Sequence, residues 1–227
     1  MFELDPIGYI ESVFKEKNGT PRQGRLSKHS KATLKINYGP NINADHSLEG
    51  LEEYSHVWLI FVFHQNKNQH KMMKIAPPRL EGKKVGVLAT RSPHHPNPIG
   101  LTAVKLESIE GDTLHLSGTP VLDVKPYISR YDIIEEATNP AWIEESPRAK
   151  IENIMWSDGM EEEVKRLVGQ GITKYYKSPE SLKHAIEEVI GEDPRSYCWK
   201  RKNQKNGEAW AFCIDTLNNI MPCLLLY

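Results

Sequence analysis

Between residues 7 and 128 the chain runs through a close succession of short apolar segments, at 7–14, 32–37, 56–64, 84–90, 101–109, 113–117 and 120–128. Most are rich in β-branched or aromatic residues and stop at Gly, Pro, Asn or Asp, which is how half-buried strands begin and end. Strands this dense, with few helical runs between them, predict a mainly β fold built as a single-sheet β-barrel, closed or nearly closed. Glu110-Gly111-Asp112 joins two alternating runs as a tight hairpin, and residues 48–54 supply one short helix. After about residue 145 the period changes. Segments 160–168 and 180–190 have helical spacing with acidic residues early, and 208–215 and 220–227 return to strands. Asn206-Gly207 is a type I′ turn signal that joins 197–202 to the strand after it. The expected organisation is a β-barrel domain over 1–147 and a small α+β domain over 148–227, with the boundary near Pro147.

With 29 basic and 30 acidic residues in 227, no net field draws the chain to nucleic acid or to an anionic membrane, so any RNA contact needs a local patch. The longest apolar stretch, 57–63, is far short of the ~20 residues of a membrane helix, and the amino terminus lacks a charged start followed by an apolar core. A cytoplasmic protein without a membrane partner is expected. Cys198, Cys213 and Cys223 are odd in number and form no CxxC pair, which fits free thiols in a reducing compartment.

The segment from Arg91 to Leu101 concentrates stiffness and polarity. Pro93, Pro96 and Pro98 fix their own φ near about −65° and push Ser92, His95 and Asn97 toward extended backbone, so the polar side chains are set before a ligand arrives. Taken alone, such a segment is more often a surface turn with incidental polar residues. Common signatures are missing: there is no GxGxxG, no GxxxxGK[ST] and no GxSxG. His94 and His95 are adjacent and point to opposite sides of an extended segment, so no metal is expected. Polar clusters instead close several strands: Thr20-Pro21-Arg22-Gln23-Gly24, His64-Gln65-Asn66 and Asp123-Val124-Lys125-Pro126-Tyr127. Pattern leaves their roles open. Arg22 and Arg91 also read as solvated cations, His64 as a hydrogen-bonded core histidine, and Asp123 with Lys125 as a surface ion pair worth ~0–1 kcal/mol.

The segments TPRQG, FVFHQN, GVLATRSPHHPNPIGL and GTPVLDVKPYI, in this order, resemble the TsaA-like family, TrmO in bacteria, of S-adenosylmethionine-dependent tRNA adenine-N6-methyltransferases. Glu192-Asp193-Pro194-Arg195 is similar to the small second domain of its longer members. The resemblance implies a β-barrel methyltransferase domain that works as a homodimer without a metal. Its substrate would be tRNA bearing N6-threonylcarbamoyladenosine beside the anticodon, at position 37. Carried over by motif, the S-adenosylmethionine contacts would be Pro21, Arg22, Gln23, His64, Gln65, Arg91, Leu101, Asp123, Val124, Lys125 and Pro126. An arginine, Arg22 or Arg91, suits the methionine carboxylate, and Leu101 an apolar wall for adenine.

Since the sulfonium is already activated, the protein's tasks are alignment and removal of the N6 proton. Asp123 is the leading base, with Tyr127 and His94 behind it, and Lys125 is suited to developing negative charge. His95 stands where the family commonly has arginine, which bears on RNA affinity, as does Asn97. Arg195, Lys200, Arg201, Lys202 and Lys205 around Tyr197 and Trp199 form a basic, aromatic patch suited to an anticodon loop, and read equally as a solvated hairpin. The competing classes are a regulatory module that binds S-adenosylmethionine without transferring the methyl group, and a small-molecule methyltransferase.

Overall fold

The alternating runs become strands in the computed structural model, which describes residues 4–14, 20, 29–64, 72–77, 80–116, 121–144, 151, 154–193, 195 and 210–217. These are β1 (Gly8–Ser12), β2 (Ala32–Ile36), β3 (His56–Val62), β4 (Lys74–Ile75), β5 (Val85–Gly86), β6 (Ile99–Glu110), β7 (Thr113–Leu116) and β8 (Asp123–Pro126). Six of them form one sheet in the order β1-β2-β7-β6-β3-β8, and β4 pairs with β5 alone. The architecture is mainly β, with the large sheet strongly curled into a half barrel. The long β6 makes the curl possible. It pairs with β3 from Ile99 to Lys105 and with β7 from Leu106 onward, and a bulge between Leu106 and Ser108 bends it where it changes partner.

Strand parity sorts the side chains. Val57, Leu59 and Phe61 of β3 and Gly100, Thr102, Val104 and Leu106 of β6 are buried, and with Leu34, Ile36, Leu114, Leu116 and Val121 they build the core of this sheet. Phe61 lies directly across from Gly100, and a Cβ on Gly100 would stand 2.2 Å from the phenyl ring. That close approach requires glycine. Trp58, Ile60 and Val62, with Ile99, Leu101 and Ala103, take the opposite face.

One expectation needs correction. Segment 84–90 is not a full strand: after Gly86 the backbone turns into a 3-10 helix, Val87–Ala89, held by Val87 N–H to the Met73 carbonyl (3.0 Å) and Thr90 Oγ1–H to the Val87 carbonyl (2.7 Å). Thr90 supplies from its side chain the bond that a strand neighbour would otherwise make. Segment 48–54 supplies its short helix as a single 3-10 turn, Leu51–Glu53, which starts after Gly50 at φ 81°, and a second 3-10 turn, Ala44–Ser47, precedes it. The hairpin at Gly111 is present, with Glu110 paired to Thr113 and Gly111 at φ 57°.

The chain divides into two compact units: Met1–Glu11 with Thr33–Pro147, and Ser12–Ala32 with Arg148–Tyr227. The first also holds two short helices, α1 (Ser129–Asp132) and α2 (Ala141–Glu144). In the second, α3 (Met160–Gly169) and α4 (Pro179–Gly191) match the helical spacing of the sequence. Ser178 Oγ caps α4 by accepting from Ser181 N–H, Pro179 opens it, and Leu182, Ala185, Ile186, Val189 and Ile190 form its buried stripe. That stripe meets Val164 and Leu167 of α3, with Val13 and Tyr176 in the same core.

A strand over 208–215 does not form in the described part, residues 210–217. Asp215 has φ 57°, which no strand accommodates, and its buried carboxylate accepts the backbone N–H groups of Lys174 (3.0 Å), Tyr175 (2.8 Å) and Tyr176 (3.3 Å). What pairing there is consists of single bridges, one at Trp210 and one between Ile214 and Leu217. Segments 197–202 and 220–227 lie outside the described residues.

Candidate functional site

Antiparallel register fixes which side chains stand together on the outward face of the large sheet. Ile60 of β3 lies between Leu101 of β6 and Asp123 of β8, and Trp58 lies between Ala103 and Lys125. Directly opposed residues share a face, so Leu101, Ile60 and Asp123 form one row and Ala103, Trp58 and Lys125 the next. Tyr127 continues the β8 face, its N–H bonded to the carbonyl of His56 (3.0 Å) and its ring 5.5 Å from that of Trp58. Three residues expected to take part in catalysis, Asp123, Lys125 and Tyr127, are thus spaced two apart on one strand and face one way.

The neighbours of each differ. Asp123 Oδ2 pairs with Lys125 Nζ at 2.7 Å, and its Oδ1 accepts Val124 N–H at 2.9 Å. Both side chains of the pair are about half exposed, so the carboxylate is poised at a surface a ligand can reach. Val124 and Pro126 have the other parity; Val124 packs against the core, which leaves its backbone as the part available to a ligand. Leu101 is 46% exposed and Ile99 beside it is equally so, a large apolar allowance for an interior-type residue. Sequence reasoning missed Ile60 and Trp58. The run from 56 to 62 is apolar at nearly every position, so parity had no polar marker and only the register shows which members face outward.

The segment from Arg91 to Pro98 is held by its own short-range bonds. His95 Nε2–H donates to the Thr90 carbonyl (2.8 Å), His94 N–H to Ser92 Oγ (3.2 Å), and Ile99 N–H to the Asn97 carbonyl (2.7 Å). Phe63 N–H donates to the Pro98 carbonyl (2.8 Å), which fastens the segment to the end of β3 beside the exposed His64. Because a carbonyl only accepts, the His95 proton sits on Nε2 and the ring braces the turn. Arg91 and Asn97 are exposed. The stiffness expected from the prolines is therefore joined by a hydrogen-bonded frame.

Arg195 departs from the expectation that it faces RNA. It is 5% exposed, and its Nε and Nη2 donate to the two carboxylate oxygens of Asp193, itself 7% exposed, at 2.6 and 3.1 Å. A guanidinium engaged this way is an internal tie. Pro21, Arg22, Gln23, Gln65, Trp199, Lys200, Arg201 and Lys202 lie outside the described residues. Among the described residues no three His, Cys, Asp or Glu side chains converge as a metal site would need, and no helix is long and apolar enough to cross a membrane.

Comparison with known proteins places these features in a family. Residues 9–133, more than half of the chain, match the model described as tRNA-methyltransferase O N-terminal domain. A mouse protein named tRNA (adenine(37)-N6)-methyltransferase is 56% identical over 134 residues, which cover 56% of this chain and 31% of the mouse protein, so the chain spans under a third of that relative's length. An Escherichia coli protein of the same name is 32% identical over 228 residues, covering 96% of this chain and 91% of its own. The crystal structure of TrmO from Pseudomonas aeruginosa superposes with a TM-score of 0.70 at 33% identity, covering 95% of this chain and 89% of that one. From the family model, the near full-length bacterial relative and the shared fold, the chain belongs to the tRNA-methyltransferase O family.

Proposed function

We propose that this protein methylates N6 of N6-threonylcarbamoyladenosine at position 37 of tRNA with S-adenosylmethionine as donor, acting as a homodimer in the cytoplasm. The observation that carries the reading is the outward row Leu101, Ile60 and Asp123, which sets an apolar wall beside a carboxylate on one rigid sheet face. Those residues suit the donor. Leu101 and Ile60 offer apolar contact for a purine, and the exposed Arg91 a guanidinium for a carboxylate.

Bound S-adenosylmethionine supplies an electrophilic methyl group on a sulfonium. Asp123 would take the N6 proton as the nitrogen–methyl bond forms and the sulfur–methyl bond breaks, the sulfur keeping its electron pair and leaving as the neutral thioether S-adenosylhomocysteine, and Lys125 would balance the charge that the ureido carbonyl draws away from N6. The rigid Arg91 to Pro98 segment and the sheet hold the reacting groups in line. The test is transfer of a labelled methyl group to tRNA that carries or lacks the threonylcarbamoyl group. Label on the modified tRNA alone is expected, whereas donor binding without transfer would assign the fold to sensing. In Asp123→Asn, turnover falls by about 10²–10⁴. Near-normal turnover with normal donor affinity would remove Asp123 from the role.

A further inference from the structure

Trp58 stands on the outward face next to Lys125, half-buried, and its ring meets that of Tyr127 at 5.5 Å and a tilt of 50°. His56 closes the corner, its ring 6.3 Å from Tyr127 and edge-on. Trp58 does not serve the core, whose β3 members are Val57, Leu59 and Phe61.

An outward tryptophan is ordinarily free to change rotamer, but this one is pinned. Its Nε1–H donates to Asp132 Oδ2 at 3.0 Å, and the same oxygen accepts Ile128 N–H at 2.8 Å, so α1 and the end of β8 share one carboxylate with the indole. Pinning a half-buried aromatic ring costs conformational freedom, and it yields a flat apolar surface in one fixed orientation. Planar heterocycles splayed from an RNA loop are held on such surfaces, because every base has a π-face to offer.

We infer that the Trp58–Tyr127 corner is the platform on which the target purine of the tRNA stacks, with Asp132 as its positioning residue. The inference rests on the methyltransferase reading above and adds to it the place of the acceptor. The row Leu101–Ile60–Asp123 would then face the donor, and the neighbouring row, through Trp58, the acceptor. Asp123 and Lys125 lie on the strand that borders both, within reach of a purine edge stacked on Trp58. The side-chain types agree: the platform is apolar and aromatic, and the hydrogen-bonding groups stand at its rim.

The test compares wild type with Trp58→Leu, Trp58→Phe, Asp132→Ala and Asp132→Asn. Each is titrated, without donor, with tRNA carrying threonylcarbamoyladenosine at position 37 and with the same tRNA made abasic there. Wild type should prefer the intact tRNA by roughly tenfold or more, the scale of one base stacked on an aromatic ring. Trp58→Leu should lose that preference, Trp58→Phe should keep most of it, and all should bind S-adenosylmethionine within twofold of wild type. Asp132→Ala should lose part of the preference and Asp132→Asn restore it, since an amide oxygen still accepts both N–H groups.

A Trp58→Leu protein that transfers methyl groups and keeps the full preference overturns the platform while leaving the reaction intact. A wild type that transfers no methyl to either tRNA and shows no preference overturns the underlying reading together with the platform. Loss of a dimer in Trp58→Leu with the tRNA preference unchanged overturns the platform and gives the corner to a second copy of the chain.

Discussion

The two units put their charges to opposite use. On the large sheet the charged groups stand outside, with Asp123 and Lys125 about half exposed, Arg91 exposed and the interior left to Val, Leu and Ile. The helical unit has surface ion pairs too, Arg166 with Glu163 and Lys183 with Glu161, but it also turns three charges inward: Asp193 and Arg195 form a buried pair, and the carboxylate of Asp215, 1% exposed, gathers three backbone N–H groups. Outward charge on a rigid frame is available to a ligand, whereas inward charge is committed to holding the fold. The same residue types thus carry different meanings according to burial, and composition cannot separate them.

Breaking the inward set should have the largest effect. Arg195→Ala leaves the Asp193 carboxylate buried without its partner and should lower stability by about 3–5 kcal/mol, read by denaturant unfolding. Unchanged stability with weakened tRNA binding would instead return Arg195 to the RNA-facing role expected from the sequence. The two faces of the sheet sharpen the contrast further. Leu59→Ala, at a fully buried position, should cost about 2–5 kcal/mol of stability, while Leu101→Ala should cost under about 1 kcal/mol and weaken S-adenosylmethionine binding instead. Equal stability losses at the two positions would mean that Leu101 is a core residue.

A smaller, pH-dependent effect belongs to the helical unit. Burial first, then the charges of Asp215 and Glu188, push the Tyr176 phenol well above its ordinary value of 10.0, and its hydroxyl donates to the His29 carbonyl at 3.1 Å. A folded pKa above the unfolded one means that the unfolded chain releases its proton first. The contribution is fully present below pH 10 and declines as pH rises beyond it. Tyr176→Phe should flatten the fall of stability above pH 10 measured by thermal unfolding, at a cost of about 0.5–1.5 kcal/mol below it. An unaltered alkaline slope would show that other groups cause it.

The sequence was most legible where period and punctuation agree. The hairpin at Gly111, strands β3 and β6, and helices α3 and α4 have strong alternation or a capped apolar stripe, and each forms close to its expected bounds. Segment 84–90 misled because Val and Leu favour a strand, while the Thr90 side chain, bonding back to Val87, stabilises a turn instead. Segment 208–215 misled because the backbone conformation of Asp215 is set by three amide groups some forty residues earlier. Among the site residues, Asp123 and Lys125 could be placed on one side of a strand by their spacing. That they share this side with Leu101 and Ile60 depends on the pairing of three strands, which no local pattern encodes.

Whether the outward face of β3, β6 and β8 is the proposed ligand-binding face is tested most directly by methyl-resolved NMR of the protein titrated with S-adenosylmethionine. Large shifts of the Leu101, Ile60 and Ile99 methyl groups, with Leu59, Leu114 and Val104 little changed, are the predicted result. Shifts confined to residues of the helical unit, such as Leu182 and Ile186, with Leu101 and Ile60 silent, would contradict it.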